Sequence, residues 1–259
     1  MSGSNADRWI VTTPRRRYDL NKRANETAGR LGLKFVARQA DPYEKIFEET
    51  GAEAAYVETD DYPLIHTRAG DFYFHINTAG RRTKNVEEPD TLIRALEPLP
   101  GDHILDATLG IACDALVVAT RLTTGIITGV ESNLLLADLA RRGLKDYDYK
   151  RKEYLKQAAL RIEVVNADHK EFLRGCADGE YDLIYFDPMF EETVVTSNSM
   201  QRQRAVADME PLSTEAVAEA KRVAKRRIVI KGRRGRFLPV EFDRILSSGK
   251  TIFYGIIDI

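Results

Sequence analysis

From about residue 86 onward, short apolar runs alternate with amphipathic stretches at the spacing of β–α–β units. The runs are bounded by small or polar residues, which is typical of buried parallel strands. Strands are predicted at residues 103–107, 125–131, 162–168, 181–187 and 227–231. Helices are predicted at residues 113–122, 134–142 (with an extension towards 159) and 214–225.

The end of the chain has a different pattern. Residues 242–246 and 251–257 are joined by the turn sequence Ser-Ser-Gly-Lys, which predicts a hairpin. A hairpin cannot continue a purely parallel sheet, because parallel neighbours need a long crossover. Parallel strands closed by an antiparallel hairpin are typical of the α/β, Rossmann-like class I methyltransferase sheet, which we predict for residues 86–259. A dinucleotide dehydrogenase would more often keep a sixth parallel strand.

The first 85 residues differ in kind. They contain a predicted helix at residues 20–31 that ends at Gly32. Short strands are predicted near residues 9–13, 34–37, 55–58, 63–67 and 72–76. We therefore predict a small α+β domain at residues 7–85, with RNA or substrate recognition as its candidate role. Residues 1–6 are small and polar and are expected to be a tag or a disordered leader.

Composition narrows the class of protein. The chain is 43% hydrophobic and 31% charged, with no apolar run near the roughly 20 residues that cross a bilayer. Two cysteines and four scattered histidines fit neither a disulfide framework nor a metal site. We therefore expect a cytoplasmic protein without a metal; the pattern does not indicate an oligomeric state.

The net charge of −1 conceals clusters of Lys and Arg. Such clusters are either solvated faces or, where several converge, a footprint for nucleic acid. They lie at residues 15–17, 81–84, 150–152, 226–227 and 231–236.

The first candidate site is the sequence Asp-Ala-Thr-Leu-Gly-Ile-Ala-Cys-Asp at residues 106–114, where a strand turns into a helix. Small residues let a ligand approach the backbone, and the helix N-terminus favours a carboxylate or phosphate. The spacing is neither that of a dinucleotide fingerprint nor that of a P-loop. The candidate cofactor residues are Asp106, Thr108, Gly110 and Asp114; a tight turn that binds nothing is the alternative.

Acidic residues end the next two predicted strands. Glu131 can accept hydrogen bonds from both ribose hydroxyls of an adenosine cofactor, and Asp168 can accept from an adenine amino group. Ser132 follows Glu131 and joins the candidate set. Because carboxyl ends of parallel strands meet at one edge, these residues should lie together. Helix capping is the alternative role for each of them.

The most specific motif is Asp187-Pro188-Met189-Phe190, at the end of the fourth predicted strand. The lone pair of a base amino group is delocalised into the ring, so methylation needs acceptors that draw on its N–H protons. The Asp187 carboxylate and the Pro188 carbonyl can supply them, and Phe190 can stack on an extruded base. A turn starter followed by a core aromatic residue is the alternative.

These motifs, with Tyr-Phe before Asp187 and a strand ending at Lys231, resemble the bacterial methyltransferases that modify the N2 amino group of a guanine in small-subunit ribosomal RNA. The resemblance covers roughly residues 74–259, whereas the first 70 residues do not match the family pattern. Ala112 stands where the family has a glycine. The resemblance implies S-adenosylmethionine (SAM) as methyl donor and ribosomal RNA, free or in a particle, as partner.

By position, the resemblance implies that Asp106, Thr108 and Gly110 line the methionine part of SAM. Glu131 would hold the ribose, Asp168 the adenine, and Asp187, Pro188 and Phe190 the target base. Basic residues are candidates for RNA contact: Arg81, Arg82, Arg202, Arg204, Lys231, Arg233 and Arg234. The alternatives are an N6-adenine or small-molecule methyltransferase, and a non-catalytic RNA-binding or assembly module with a vestigial Rossmann core.

Overall fold

The structure is a computed structural model that describes residues 8–84, 87–188, 212–236, 238 and 240–259. The described chain forms two compact units, which divide between Phe74 and His75. The sequence pattern predicts this division between residues 85 and 86. The earlier division arises because residues 75–84 pack within the second unit, where Arg82 is paired with Asp114. No helix in the described ranges is long and apolar enough to span a bilayer.

The first unit contains a five-stranded sheet in the order β2-β1-β3-β4-β5. The first three strands are parallel and are connected through helices, whereas β4 and β5 add antiparallel strands at one side. The α1 helix ends, as predicted, at Gly32, which adopts a left-handed φ of 66°. The elements are β1 (Trp9–Thr12), α1 (Asn21–Leu31), β2 (Lys34–Phe35), α2 (Tyr43–Thr50), β3 (Ala54–Val57), β4 (Leu64–Thr67) and β5 (Gly70–Tyr73).

The second unit contains a seven-stranded sheet in the order β11-β12-β10-β9-β6-β7-β8. Strands β6 to β10 are parallel, and β12 pairs antiparallel with both β10 and β11. This arrangement confirms the predicted Rossmann-like sheet closed by a C-terminal hairpin. The strands are β6 (His103–Asp106), β7 (Ile126–Glu131), β8 (Ile162–Asn166), β9 (Tyr181–Phe186), β10 (Ala224–Arg233), β11 (Arg244–Ser248) and β12 (Ile252–Asp258).

Helices cover the sheet of the second unit and bury its apolar side chains. The described helices are α3 (Asn77–Arg82), α4 (Thr91–Leu96), α5 (Cys113–Ala119), α6 (Leu134–Asp146), α7 (Glu153–Ala159), α8 (His169–Gly175) and α9 (Thr214–Val223). The predicted extension of one helix from residue 134 towards 159 is wrong. Tyr147 is extended and Lys150 has a φ of 50°, so the chain breaks between α6 and α7.

Candidate active site

The loop of residues 107–112 connects β6 to α5 and is tied to the strands on either side of β6. The N–H of Ala107 donates to the carbonyl of Tyr185 on β9 (2.9 Å), and the N–H of Leu109 donates to the carbonyl of Val130 on β7 (2.9 Å). Gly110 and Ala112 have φ values of 56° and 61°, so the loop turns through the left-handed region twice. We call residues 107–112 the first loop.

Glu131 fixes the first loop from the end of β7. Its Oε2 accepts from the N–H of Gly110 (2.9 Å), and its Oε1 accepts from the N–H of Asn133 (2.8 Å). The side chain is buried. Because each carboxylate oxygen can accept more than one hydrogen bond, both oxygens can still accept from ribose hydroxyls. The position therefore suits the predicted cofactor role.

Gly129 explains how the first loop lies so close to the sheet. A Cβ added at this position on β7 would come within 2.5 Å of Leu109 Cδ1. The missing side chain lets Leu109 pack directly over the strand, and Leu109 is buried there. The sequence Gly-Val-Glu thus combines space for the loop with the carboxylate that holds it.

Asp168 caps a helix, the alternative role that the sequence left open for it. Its Oδ1 accepts from the N–H groups of Lys170 (2.9 Å) and Glu171 (3.1 Å) at the start of α8. Asn133 caps α6 in the same way, and the carbonyl of Ser132 accepts from the side-chain amide of Asn166 (3.0 Å). These residues fix the ends of β7 and β8, where Asp168 and Ser132 are candidate contacts to the adenine side of a cofactor.

Asp187 and Pro188 follow β9 directly and lie beside the first loop. The N–H of Asp187 donates to Thr108 Oγ1 at 2.6 Å, which ties the Asp-Pro motif to the residue predicted to face the methyl donor. Pro188 is buried, while the Asp187 side chain keeps 36% of its surface exposed. Phe190 lies outside the described residues.

An alternating row of charges ends at Asp187. Lys231 Nζ, on β10, lies 2.7 Å from Asp187 Oδ2 and 3.2 Å from Asp114 Oδ2. Arg82, on α3, pairs with the other oxygen of Asp114 and lies 2.7 Å from Asp90 Oδ1. We call Asp90, Arg82, Asp114, Lys231 and Asp187 the ion-pair row. With three carboxylates and two cations, it carries one excess negative charge.

The pKa values within the ion-pair row move in opposite directions. Burial acts to raise the pKa of Asp114, but Lys231 and Arg82 overcome it, so this pKa lies below its ordinary value. For Asp187, burial and the neighbouring Asp114 outweigh Lys231 and raise the pKa. Burial acts to lower the pKa of Lys231, but the two carboxylates raise it. The excess negative charge is thus least favourable on Asp187.

Two tyrosines surround the row. Tyr185 Oη, on β9, donates to Asp114 Oδ2 at 2.6 Å, and burial beside carboxylates raises its pKa well above the ordinary value. Tyr254, on β12, is buried near Asp114, and its pKa is raised to about 12. Both phenols therefore stay protonated and act as dipoles rather than as bases at neutral pH.

Asp106 lies at the end of β6, where the sequence predicts a cofactor residue. It is buried, and its Oδ1 accepts from the N–H of Thr108 (3.2 Å). Burial, with the nearby Asp114 and Asp187 carboxylates, raises its pKa well above the ordinary value. Asp106 therefore shapes the start of the first loop from a buried position at the end of β6.

The structure describes five of the seven basic residues predicted to contact RNA; Arg202 and Arg204 lie outside the described residues. Arg82 and Lys231 are largely buried and pair with carboxylates in the ion-pair row. Arg81 is exposed at the end of α3. Arg233 is half-buried at the end of β10, and exposed Arg234 donates to Ser247 Oγ (2.7 Å).

The partners of Asp114 are what sequence reasoning missed. Tyr185 entered the sequence analysis only as part of the Tyr-Phe pair before Asp187, and Asp90 and Tyr254 were given no role. Arg82 is 32 residues from Asp114 along the chain. One signal was present for Lys231. It is near the carboxyl end of a strand that pairs with the strand preceding Asp187, so both side chains are near the same edge.

The donor set of this edge fits SAM. Glu131 can hold ribose hydroxyls, and the N-cap residue of α5, Ala112, makes no side-chain cap, which suits the methionine carboxylate. Among the described residues, no group of three or more metal-ligating side chains occurs.

Comparison with known proteins agrees with this arrangement. Residues 14–245 match the protein family described as "Putative SAM-dependent methyltransferase". The match begins at residue 14, so it includes most of the first unit as well as the second. The chain is 30% identical over 253 residues to the uncharacterized protein YpiP of Bacillus subtilis, covering 96% of this chain and 98% of YpiP.

Relatives with named activities are more distant. The chain is 25% identical to ribosomal RNA small subunit methyltransferase J of Thioalkalivibrio sulfidiphilus, over 82% of this chain and 83% of that protein. With the protein of the same name from Chromobacterium violaceum, it is 29% identical over 54% of each chain. Its fold is similar to that of the SAM-dependent methyltransferase NGO1261 of Neisseria gonorrhoeae, with a TM-score of 0.65, 18% identity, and coverage of 95% and 94%. The chain belongs to the SAM-dependent methyltransferase family.

Proposed function

We propose that this SAM-dependent methyltransferase modifies an exocyclic amino group of RNA, the N2 amino group of a guanine in small-subunit ribosomal RNA. The observation that carries the proposal is the position of Asp187. Its carboxylate is partly exposed after β9, while its N–H is bonded to Thr108 of the first loop. An acceptor for a base amino group therefore lies beside the loop that would hold the methyl donor.

The chemistry needs few protein groups. SAM supplies an activated methyl group through its sulfonium. The lone pair of the base nitrogen forms the N–C bond as the S–C bond breaks, and the electron pair of that bond stays on sulfur. The nitrogen then loses one proton, with Asp187 or water as acceptor. Asp187 and the Pro188 carbonyl would bind the two N–H groups, so that the lone pair faces the methyl group.

The raised pKa of Asp187 suits this role. A carboxylate whose pKa is closer to neutrality accepts a proton more readily, yet it remains an acceptor for N–H groups while ionised. Its ion pair with Lys231 keeps one oxygen engaged and leaves the other for the base.

The remaining assignments extend this proposal. Asp106, Thr108 and Gly110 would lie along the methionine side of the donor, Glu131 at the ribose and Asp168 at the adenine. Phe190 would stack on the target base, and Asp114 would act through the ion-pair row. Arg81, Arg202, Arg204, Arg233 and Arg234 are candidates for phosphate contact.

The names of relatives support RNA as the substrate class. Proteins from several bacteria that match this chain are called ribosomal RNA small subunit methyltransferase J. The chain spans about half the length of some of them, so their substrate is part of the proposal. The first unit is the candidate RNA-recognition domain, and such a substrate would make the cytoplasm the place of action.

The test is to identify the methylated nucleoside. The purified protein is incubated with methyl-deuterated SAM and either free small-subunit ribosomal RNA or small ribosomal subunits, from cells that lack the corresponding gene. The RNA is digested to nucleosides, and the labelled nucleoside is identified by mass spectrometry. Deuterated N2-methylguanosine is the expected product. Deuterated N6-methyladenosine would mean that the acceptor is adenine and not guanine. If neither substrate yields a labelled nucleoside, the proposal of an RNA substrate is contradicted.

A further inference from the structure

Lys231 has a more buried environment than an RNA-binding lysine needs. Its ammonium lies between two carboxylates, 2.7 Å from Asp187 Oδ2 and 3.2 Å from Asp114 Oδ2, and its side chain is 23% exposed. Two of the three N–H donors of the ammonium bond these carboxylates. A phosphate farther out in solvent would be reached only if the ammonium moved away from them. In this site, that move would leave two neighbouring negative charges without their shared cation.

Asp114 has other partners that Asp187 lacks. Tyr185 Oη donates to Asp114, and Arg82 pairs with its other oxygen. In the described structure, the cation paired with Asp187 is Lys231. The loss of Lys231 would therefore affect the two carboxylates unequally: Asp114 would keep two partners, and Asp187 would face the Asp114 charge directly.

We propose that Lys231 is a positioning residue for methyl transfer, whose shared ammonium keeps the Asp187 carboxylate ionised and fixed in direction at the end of β9. This inference rests on the proposed function of Asp187 as the acceptor for the base amino group. A protonated Asp187 would present an O–H donor to the base. This O–H would then face the N–H of the base amino group, which is also a donor. Lys231 prevents that state near neutral pH.

The surroundings of Asp187 contain further charged or titratable groups. Asp114 and Cys113 face the row from α5, Arg82 from α3, Asp106 from β6, Tyr185 from β9 and Tyr254 from β12. Burial raises the pKa of Cys113 to about 12, and both tyrosines are also raised. These three groups are therefore neutral across the range from pH 5 to 9. Asp187 has the most exposed carboxylate of the row, and its titration should control the acidic limb of activity.

The test compares the pH dependence of kcat/KM for wild type, Lys231→Gln, Lys231→Met and Lys231→Arg, on the acceptor that the wild type methylates. Glutamine keeps hydrogen-bond donors but no charge, so its acidic limb should move to higher pH by at least one unit. One unit corresponds to a tenfold lower kcat/KM on that limb. Lys231→Met should show the same shift and also a lower kcat/KM on the plateau of the pH profile. Lys231→Arg should restore the wild-type acidic limb.

Lys225→Met is the matched control. Lys225 lies near the start of the same strand and pairs with Asp182 of β9 at 3.1 Å, which is the same type of pair at the opposite end of the strands. Its pH profile should equal that of the wild type. SAM affinity and melting temperature are measured for every variant, so that a folding defect is recognised; if Lys231→Met fails to fold, Lys231→Gln carries the test.

Failure of the inference differs from failure of the proposed function. A wild type that methylates no RNA would contradict the proposed function. If the wild type is active and the folded Lys231→Gln variant has the same acidic limb, only the role of Lys231 is overturned. A loss that is equal at all pH values, and that arginine does not restore, would also overturn it.

Discussion

Two buried glutamates, one in each unit, lie at the carboxyl ends of parallel strands but have different partners. Glu58 directly follows β3, and Glu131 ends β7. Glu58 accepts from Thr27 Oγ1 at 2.7 Å and lies 3.1 Å from Arg23 Nε, and both partners are side chains of α1. Glu131 instead accepts from backbone N–H groups of two loops.

This difference separates a packing role from a site-forming role. A carboxylate that holds side chains of a helix fixes the helix on the sheet. A carboxylate that holds the backbone of loops shapes the edge where open α/β sheets bind ligands. The second unit adds Asp187, which is partly exposed. Burial of an acidic residue at a strand end is therefore not sufficient to indicate a ligand site; the kind of partner decides.

The largest expected change in SAM affinity comes from Glu131→Ala. SAM affinity should fall at least tenfold, about 1.4 kcal/mol, because both the ribose acceptor and the support of Gly110 are lost. Calorimetric titration measures this change. Glu163→Ala, at an exposed glutamate on neighbouring β8, is the control and should bind SAM as the wild type does. Unchanged SAM binding by Glu131→Ala would remove Glu131 from the cofactor site.

Glu58→Gln should act on stability alone. The amide keeps a hydrogen bond to Thr27 but loses the ion pair with Arg23, whose side chain is 40% exposed. We expect the free energy of unfolding to fall by roughly 1–2 kcal/mol. Denaturant titration gives the stability and calorimetry the SAM affinity. A weaker SAM affinity in this variant would contradict the division of roles between the two glutamates.

Gly129→Ala tests the close approach of the first loop. The new methyl group would collide with Leu109, so the loop should shift and SAM affinity should fall roughly 3- to 10-fold. Gly255→Ala creates a similar collision with Phe242 within the C-terminal hairpin. It should lower the melting temperature without a change in SAM affinity. Equal SAM affinity in both variants would argue against a role for the loop.

The smallest effect is expected for Ala112→Gly, which restores the glycine of the resembling family. Glycine relieves a left-handed φ of 61°, but the substitution removes a buried methyl group and adds freedom to the unfolded chain. Stability should change by less than about 1 kcal/mol, because these contributions oppose each other. SAM affinity should stay within threefold by titration; a larger loss would mean that the methyl group itself supports the site.

The sequence was sufficient to predict the parallel strands and the hairpin, because buried strands and the turn sequence at residues 247–250 have strong local patterns. The short helices α2, α3, α4 and α8 were missed, since six to eight residues carry little periodicity. The break after α6 was missed because it depends on the backbone of Tyr147 and Lys150 rather than on glycine or proline.

The candidate site was predicted in part for a similar reason. Residues at strand ends can be placed at one edge from strand order alone, as for Asp106, Glu131 and Asp187. Side-chain partners cannot be predicted in this way. Lys231 and Asp187 are separated by 44 residues along the chain, and their pairing depends on how β10 and β9 align. From the sequence, Arg82 and Lys231 were therefore predicted to contact RNA, whereas in the structure both pair with carboxylates.

The most direct test of the central claim is to compare SAM binding with methyl transfer in Asp187→Asn. The pKa of Asp187 is raised, so folding is penalised as pH rises through the interval from the ordinary value to the raised one, and the full penalty applies above the raised value. The variant should therefore be at least as stable as the wild type. It should bind SAM with wild-type affinity, but single-turnover transfer should be at least about 100-fold slower. Transfer at the wild-type rate would contradict the assignment of Asp187 as the acceptor for the base amino group.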